Sequence, residues 1–161
     1  MQGQVYSQPS INALRWITRI LAKYHISYQI AGGLAARCYG VQRPLADIDI
    51  DLPKESIAKL MPDIEPYIIF GPTQYKDESW DLFLTTLNYE GQEIDLAALE
   101  DCYLTNNKTK KRELLSYDLR ECVYVQIADM TVPLIPKARL MAYKKKLARE
   151  VDLLDVAGLE N

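Results

Sequence analysis

The sequence is poor in several residue types that carry chemistry in other proteins. Its 161 residues include one histidine, His25. That rules out a convincing Ser-His-Asp or Cys-His arrangement, and His25 reads as the residue that closes the first helix and favours its dipole. The three cysteines, Cys38, Cys102 and Cys122, stand far apart with no CxxC pair, which excludes a disulfide framework and a thiolate zinc site. They are expected to be reduced and partly buried. Neither GxGxxG nor GxxxxGK[ST] occurs, so a Rossmann dinucleotide site and a P-loop have no support. No apolar run approaches the roughly 18 residues that a membrane span needs. The opening MQGQVYSQPS has no basic stretch followed by an apolar one. The expected location is cytoplasmic, with no membrane partner.

Positive charge is also scarce. A formal net charge of −3 and a pI near 5.2 argue against broad electrostatic binding of duplex nucleic acid, which depends on Lys and Arg neutralising phosphates. One dense basic run, Asn106 to Leu115, could touch phosphates but reads first as a solvated face. Repeats, low-complexity tracts and Gly/Ser linkers are absent as well. The chain is therefore read as one domain over 1–161, the usual size of a single core. Its 48% hydrophobic and 25% charged residues match a folded protein.

Periodicity gives the order of elements. Apolar residues at Ile11, Leu14, Ile17, Leu21 and Tyr24 mark a helix, with Ser10 as its expected cap. SYQIA reads as a short strand, and LAARCYG as a short helix that starts at Gly32-Gly33 and stops at Gly40. ADIDIDL alternates as a strand, and Pro53 opens the helix KESIAKLM. Two hairpins follow, with turns at Glu90-Gly91 and near Ala128-Asp129. Pro136 then begins a C-terminal helical region, 136–158, expected to pack on the rest. Helices interleaved with strands and hairpins indicate an α+β (α/β mixed) domain with a mixed twisted sheet.

Within this pattern the acidic strand is the feature that needs explaining. Side chains alternate along a strand, so Asp47, Asp49 and Asp51 share one face while Ile48, Ile50 and Leu52 go to the core. Carboxylates two residues apart lie roughly 7 Å from each other, and each pair costs about 2 kcal/mol at an effective dielectric near 20. Bound Mg²⁺ would offset that cost, since it takes hard oxygen ligands and joins carboxylates to phosphates. An edge strand kept acidic against aggregation is the competing explanation. The preceding Gly32-Gly33, between a strand and a helix start, offers bare N–H groups suited to phosphate oxygens. Asp95 is a charge set into the apolar run IDLAAL, with Glu93 on the same face as a weaker candidate.

The stretch GGLAARCYGVQRPLADIDI resembles the signature of the DNA polymerase beta-like nucleotidyltransferase superfamily. The likeness is strongest to its small lincosamide-type and abortive-infection-type branches. Gly32, Gly33, Ala35, Gly40, Arg43, Asp47, Ile48 and Asp49 carry it. Asp95 fits the place of that family's third carboxylate, and the ending from Val132 to Leu159 is similar to its helix with Lys followed by Arg-x-x-Asp-x-x-Asp. Leu45 departs from the pattern, standing where many members have a polar residue.

The resemblance implies the nucleotidyltransferase fold and transfer of a nucleoside monophosphate from an NTP to a hydroxyl acceptor, which could be a small molecule, a protein or a tRNA. It implies two Mg²⁺ ions on Asp47, Asp49 and Asp95, with Gly32 and Gly33 holding phosphates. Arg43 would contact the triphosphate or pair with an aspartate. On the helix after Pro136, Leu140, Met141, Leu147, Ala148 and Val151 form an apolar stripe with Lys144 in its middle, so Lys144 is read as a phosphate or carboxylate partner. Asp152 and Asp155 could serve the same polar cluster or only the helix surface, and the surface is the favoured reading of the two. The alternative function is a nucleotidyltransferase-fold module without turnover that binds a nucleotide, RNA or a protein, as in a toxin–antitoxin pair.

Overall fold

The computed structural model describes residues 5–161; residues 1–4 of the expected 1–161 domain lie outside the described residues. The chain begins with α1 (Gln8–Lys23), whose cap is Ser7 and not Ser10. Ser7 Oγ accepts from the Ser10 N–H at 3.2 Å, while the Ser10 hydroxyl points inward and donates to Gln92 Oε1 at 2.6 Å. A serine one turn later in the pattern was thus taken by the sheet instead. The helix ends where His25 adopts a left-handed conformation (φ 55°), with His25 N–H on Ala22 O and Ile26 N–H on Leu21 O. Those two bonds satisfy the last carbonyls in the manner usual for a glycine stop.

Then come β1 (Gln29–Ala31), α2 (Gly32–Cys38), β2 (Asp47–Leu52), α3 (Ser56–Ile64) and β3 (Ile68–Lys76). They are followed by β4 (Trp80–Tyr89), β5 (Gln92–Ala98), β6 (Cys102–Thr105), β7 (Arg112–Leu115), β8 (Val123–Ile127) and β9 (Met130–Leu134). Two helices, α4 (Lys137–Leu147) and α5 (Glu150–Leu159), close the chain. All nine strands join one mixed sheet in the order β7-β6-β4-β5-β2-β1-β9-β8, with β3 beside β4. Among the described residues only β2–β5 and β1–β9 are parallel pairs. The Glu90-Gly91 turn between β4 and β5 has positive φ at both residues (49° and 91°), the backbone twist that suits a two-residue hairpin.

The alternation in β2 decides where the core sits. Ile48, Ile50 and Leu52 are fully buried, as are Ile94 and Leu96 of β5 beside them, in one core with Leu14, Ile17 and Leu21 of α1. The aspartates of β2 face the other way, toward α4. Asn106 to Lys111 of the basic run form the turn of the β6–β7 hairpin, with Lys108, Lys110 and Lys111 exposed. Among the described residues no helix is long and apolar enough to cross a membrane.

The C-terminal region is two helices, which corrects the reading of one continuous apolar stripe. Ala148 is left-handed (φ 48°, ψ 31°) and ends α4, and Arg149 caps α5. Val151 therefore belongs to a different helix from Leu140 and Leu147. An alanine in this conformation bears a steric cost that glycine avoids. Ala148→Gly is expected to stabilise the protein by about 0.5–1 kcal/mol, raising the melting temperature by about 1–4 °C; calorimetry measures it.

Candidate active site

Register in the sheet assembles the acidic site. The parallel pairing of β2 with β5 sets Asp47 opposite Glu93, Asp49 opposite Asp95 and Asp51 opposite Ala97. On the far side of β5, Thr86 of β4 lies opposite Asp95 and donates its hydroxyl to Asp95 Oδ1 at 2.7 Å. Asp47, Asp49 and Asp95 each offer a carboxylate oxygen within 4.8 Å of the other two. At that separation each charged pair repels by about 3 kcal/mol at an effective dielectric near 20. All three half-buried groups line one cavity of about 540 Å³.

Burial first, and crowding after it, shifts the carboxyls of Asp49 and Asp95. Burial pushes Asp49 well above the usual carboxylate range, and Asp47, Asp95 and Asp51 push it further against the opposing pull of Lys144. Asp95 is pushed up to about 6, chiefly by burial and then by Asp47, against the Thr86 hydrogen bond. Burial also pushes Asp51 up to about 6, although Gln29 Nε2 donates to its Oδ2 at 2.9 Å. Three hard oxygen donors held this close are a suitable ligand set for a divalent cation.

Beside the carboxylates, α2 starts at Gly32 with φ 58°. A Cβ there would collide with Asp49 Oδ2, so glycine is required both by its conformation and by the approach of the aspartate. The Gly32 N–H is not bare. It donates to the Tyr143 hydroxyl of α4 at 2.9 Å, a partner that sequence reasoning missed. A Cβ on Gly33 would meet Arg43 Nη2 at 3.0 Å, which places that guanidinium against the second glycine.

The charges on the helical side form a closed network. Arg43 grips Asp155 with Nε (2.6 Å) and Nη2 (2.8 Å). Lys144, almost fully buried, sits 2.8 Å from Asp155 and 3.6 Å from Asp152. Arg149 holds Asp152 at 2.6 Å. Asp152 and Asp155 are completely buried, which corrects the expectation that they are helix surface: the break at Ala148 turns α5 so that both point inward. Burial raises the Asp155 carboxyl, but its bonds to Arg43 and Lys144 outweigh that and hold it below the usual range. Three cations against two carboxylates leave one positive charge in excess, and Arg43, Lys144 and Arg149 all line the cavity.

The structure thus brings Asp47, Asp49, Asp95, Gly32, Gly33, Arg43 and Lys144 together around one cavity. Arg149 stood in the Arg-x-x-Asp-x-x-Asp pattern and could have been selected from it. Thr86 and Tyr143 gave no comparable signal, because their roles depend on sheet register and helix docking. Leu45 lines the same cavity and packs on the core.

A carboxyl with a raised pKa stabilises the fold most when protonated. That contribution is complete below the unfolded value near 3.9 and is lost as pH rises through about 6. Without added metal, Asp95→Asn is therefore expected to melt about 2–6 °C above wild type at pH 7.5. The gap should close as pH falls to 4. A gap independent of pH would show that Asp95 is not under electrostatic pressure.

No protein-family model matches the sequence, and no curated protein matches it significantly. Solved structures do. A Thermotoga maritima protein provisionally described as a nucleotidyltransferase is 18% identical, covers 90% of this chain and 89% of its own, and superposes with a TM-score of 0.71. The lincosamide antibiotic adenylyltransferase LnuA, solved with lincomycin bound, is 19% identical over 93% of this chain and 96% of its own, with a TM-score of 0.63. ANT(2″)-Ia, solved with adenylyl-2″-tobramycin, is 17% identical over 94% and 97%, with a TM-score of 0.53. Mixed sheet, helix order and these full-length likenesses agree, and the chain has the nucleotidyltransferase fold.

Proposed function

We propose that the protein is a metal-dependent nucleotidyltransferase that moves a nucleoside monophosphate from an NTP to a hydroxyl of a small acceptor. The observation that carries this reading is the convergence of Asp47, Asp49 and Asp95 within 4.8 Å on a cavity also lined by Gly33, Arg43 and Lys144. Nucleotidyl transfer needs both features, a divalent-cation platform and a positive wall for the triphosphate. The fold neighbours LnuA and ANT(2″)-Ia, the former an adenylyltransferase and the latter solved with an adenylylated small molecule, support ATP as the first donor to test and a small molecule as acceptor.

Asp47, Asp49 and Asp95 would hold two Mg²⁺ ions. When bound, these would neutralise charge on the departing pyrophosphate and acidify the attacking hydroxyl. The chain's own residues do the rest. Asp95, oriented by Thr86, takes the proton of the acceptor hydroxyl. The acceptor oxygen forms a bond to the α-phosphorus as the bond to the bridging oxygen breaks, and pyrophosphate leaves. Gly33 allows the triphosphate to approach the backbone, and Lys144 with Arg43 supplies positive charge from a network that is fixed before substrate arrives. Preorganised charge of this kind needs no rearrangement during the reaction.

An inactive binding module is the second reading, favoured by Leu45, whose apolar side chain lines the cavity where many relatives would be polar. Release of pyrophosphate separates the two. Mg²⁺ with ATP should raise the melting temperature of wild type by mass action, and Asp49→Ala should abolish that rise while staying folded. Asp95→Asn should keep ATP affinity within a few-fold and lower turnover by about 10²–10⁴. Full activity in Asp95→Asn would remove Asp95 from the mechanism, and an unchanged ligand response in Asp49→Ala would remove the metal site.

A further inference from the structure

The cavity is longer than the carboxylate cluster, and transfer chemistry leaves its other half unassigned. Along the sheet its floor changes character. Asp47, Asp49, Glu93 and Asp95 occupy one end. Two residues further along the paired strands, Asp51 lies beside Ala97, and Leu84 of β4 lies beyond Ala97 in register, with Leu82 next along the same face. Trp80 and Tyr143, edge to face with ring centroids 6.0 Å apart, and Tyr117 add aromatic surface.

Two carboxylates reach this apolar half, Asp51 and Asp77. Both oxygens of Asp77 are engaged: Oδ2 by the Tyr75 hydroxyl at 2.7 Å and Oδ1 by the N–H groups of Ser79 and Trp80. Asp51 differs. Its Oδ2 is held by the fully buried amide of Gln29, and no group among the described residues donates to Oδ1. The cations of the cavity, Arg43, Lys144 and Arg149, sit on Asp152 and Asp155, and none of them pairs with Asp51. A carboxylate fixed by a buried amide, with an open oxygen and apolar and aromatic neighbours, lacks the positive partner that such a setting requires.

We propose that this half is the acceptor subsite and that it takes a hydroxyl-bearing organic amine with an apolar body, Asp51 receiving the ammonium group. The proposal rests on the transfer reading for the direction of the hydroxyl, which points toward Asp95. Aromatic rings beside the ammonium add cation–π attraction. Asp95 lies one strand across and two residues back from Asp51, which sets the separation of hydroxyl and amine at roughly 8–9 Å. A long nucleic acid, with its anionic backbone, is disfavoured by the same carboxylate.

A suitable probe is 4-(2-aminoethyl)benzyl alcohol beside its neutral N-acetyl twin, titrated by ligand-observed NMR. Wild type should bind the amine about tenfold or more tightly than the twin, the scale of a charge-assisted contact, and the preference should collapse in Asp51→Asn. Equal or absent binding of the two by wild type, a comparison that requires no variant, would overturn the proposal. So would a preference that survives in Asp51→Asn. Binding of ATP with Mg²⁺ to wild type is measured separately: failure there, with the amine preference intact, removes the transfer reading and leaves the amine site standing.

Discussion

Three carboxylates forced within 4.8 Å of one another are the constraint around which the rest of the molecule is arranged. The crowding is a consequence of sheet register. Because β2 and β5 run parallel with Asp49 opposite Asp95, every residue that buries Ile48, Ile50, Ile94 and Leu96 on one face also drives the aspartates together on the other. The core cannot relax the repulsion without slipping a strand, and a slip of one residue would send the aspartates into the core. Hydrophobic burial, worth about 25 cal/mol per Å², thus holds in place an arrangement that electrostatics opposes.

Several features moderate that opposition without removing it. Thr86 and Gln29 donate to Asp95 and Asp51, and Gly32 leaves space for the Asp49 carboxylate where any side chain would collide. On the helical wall, Arg43, Lys144 and Arg149 surround Asp152 and Asp155. The two buried aspartates do not cancel the positive charge facing the cavity; they fix its position. Losing Asp155 would take from the buried Lys144 its partner at 2.8 Å, a change of the kind that typically costs several kcal/mol. Negative floor and positive wall meet at Gly32-Gly33, which is where a metal-bound triphosphate would have complementary charge on both sides.

Local patterns were the legible part of the sequence. The alternation in DIDIDL revealed the shared face of Asp47, Asp49 and Asp51. The order of strand, Gly-Gly, helix and acidic strand revealed Gly32 and Gly33 beside the carboxylates, and an isolated charge in IDLAAL revealed Asp95. What depended on distant pairing was not legible. Thr86 enters through antiparallel register across β5, and Tyr143 through the docking of α4 on α2. The short strand β7 was hidden inside a basic run whose charges dominate its pattern, and its partner β6 lies just ahead of that run. Ala148, a good helix former, gives no hint that it ends α4, and that one left-handed residue decided whether Asp152 and Asp155 faced solvent or the site.

Asp49 and Asp95 should hold protons above the usual carboxylate range that a divalent cation would displace. Calorimetric titration of Mn²⁺ into the protein at pH 6, repeated in buffers of different ionisation enthalpy, measures this directly. Because burial and neighbouring carboxylates push Asp95 up to about 6 and hold Asp49 well above the usual carboxylate range, binding at pH 6 should release at least about 0.5 proton per protein. Binding with no proton release, or no binding at all, would contradict the account.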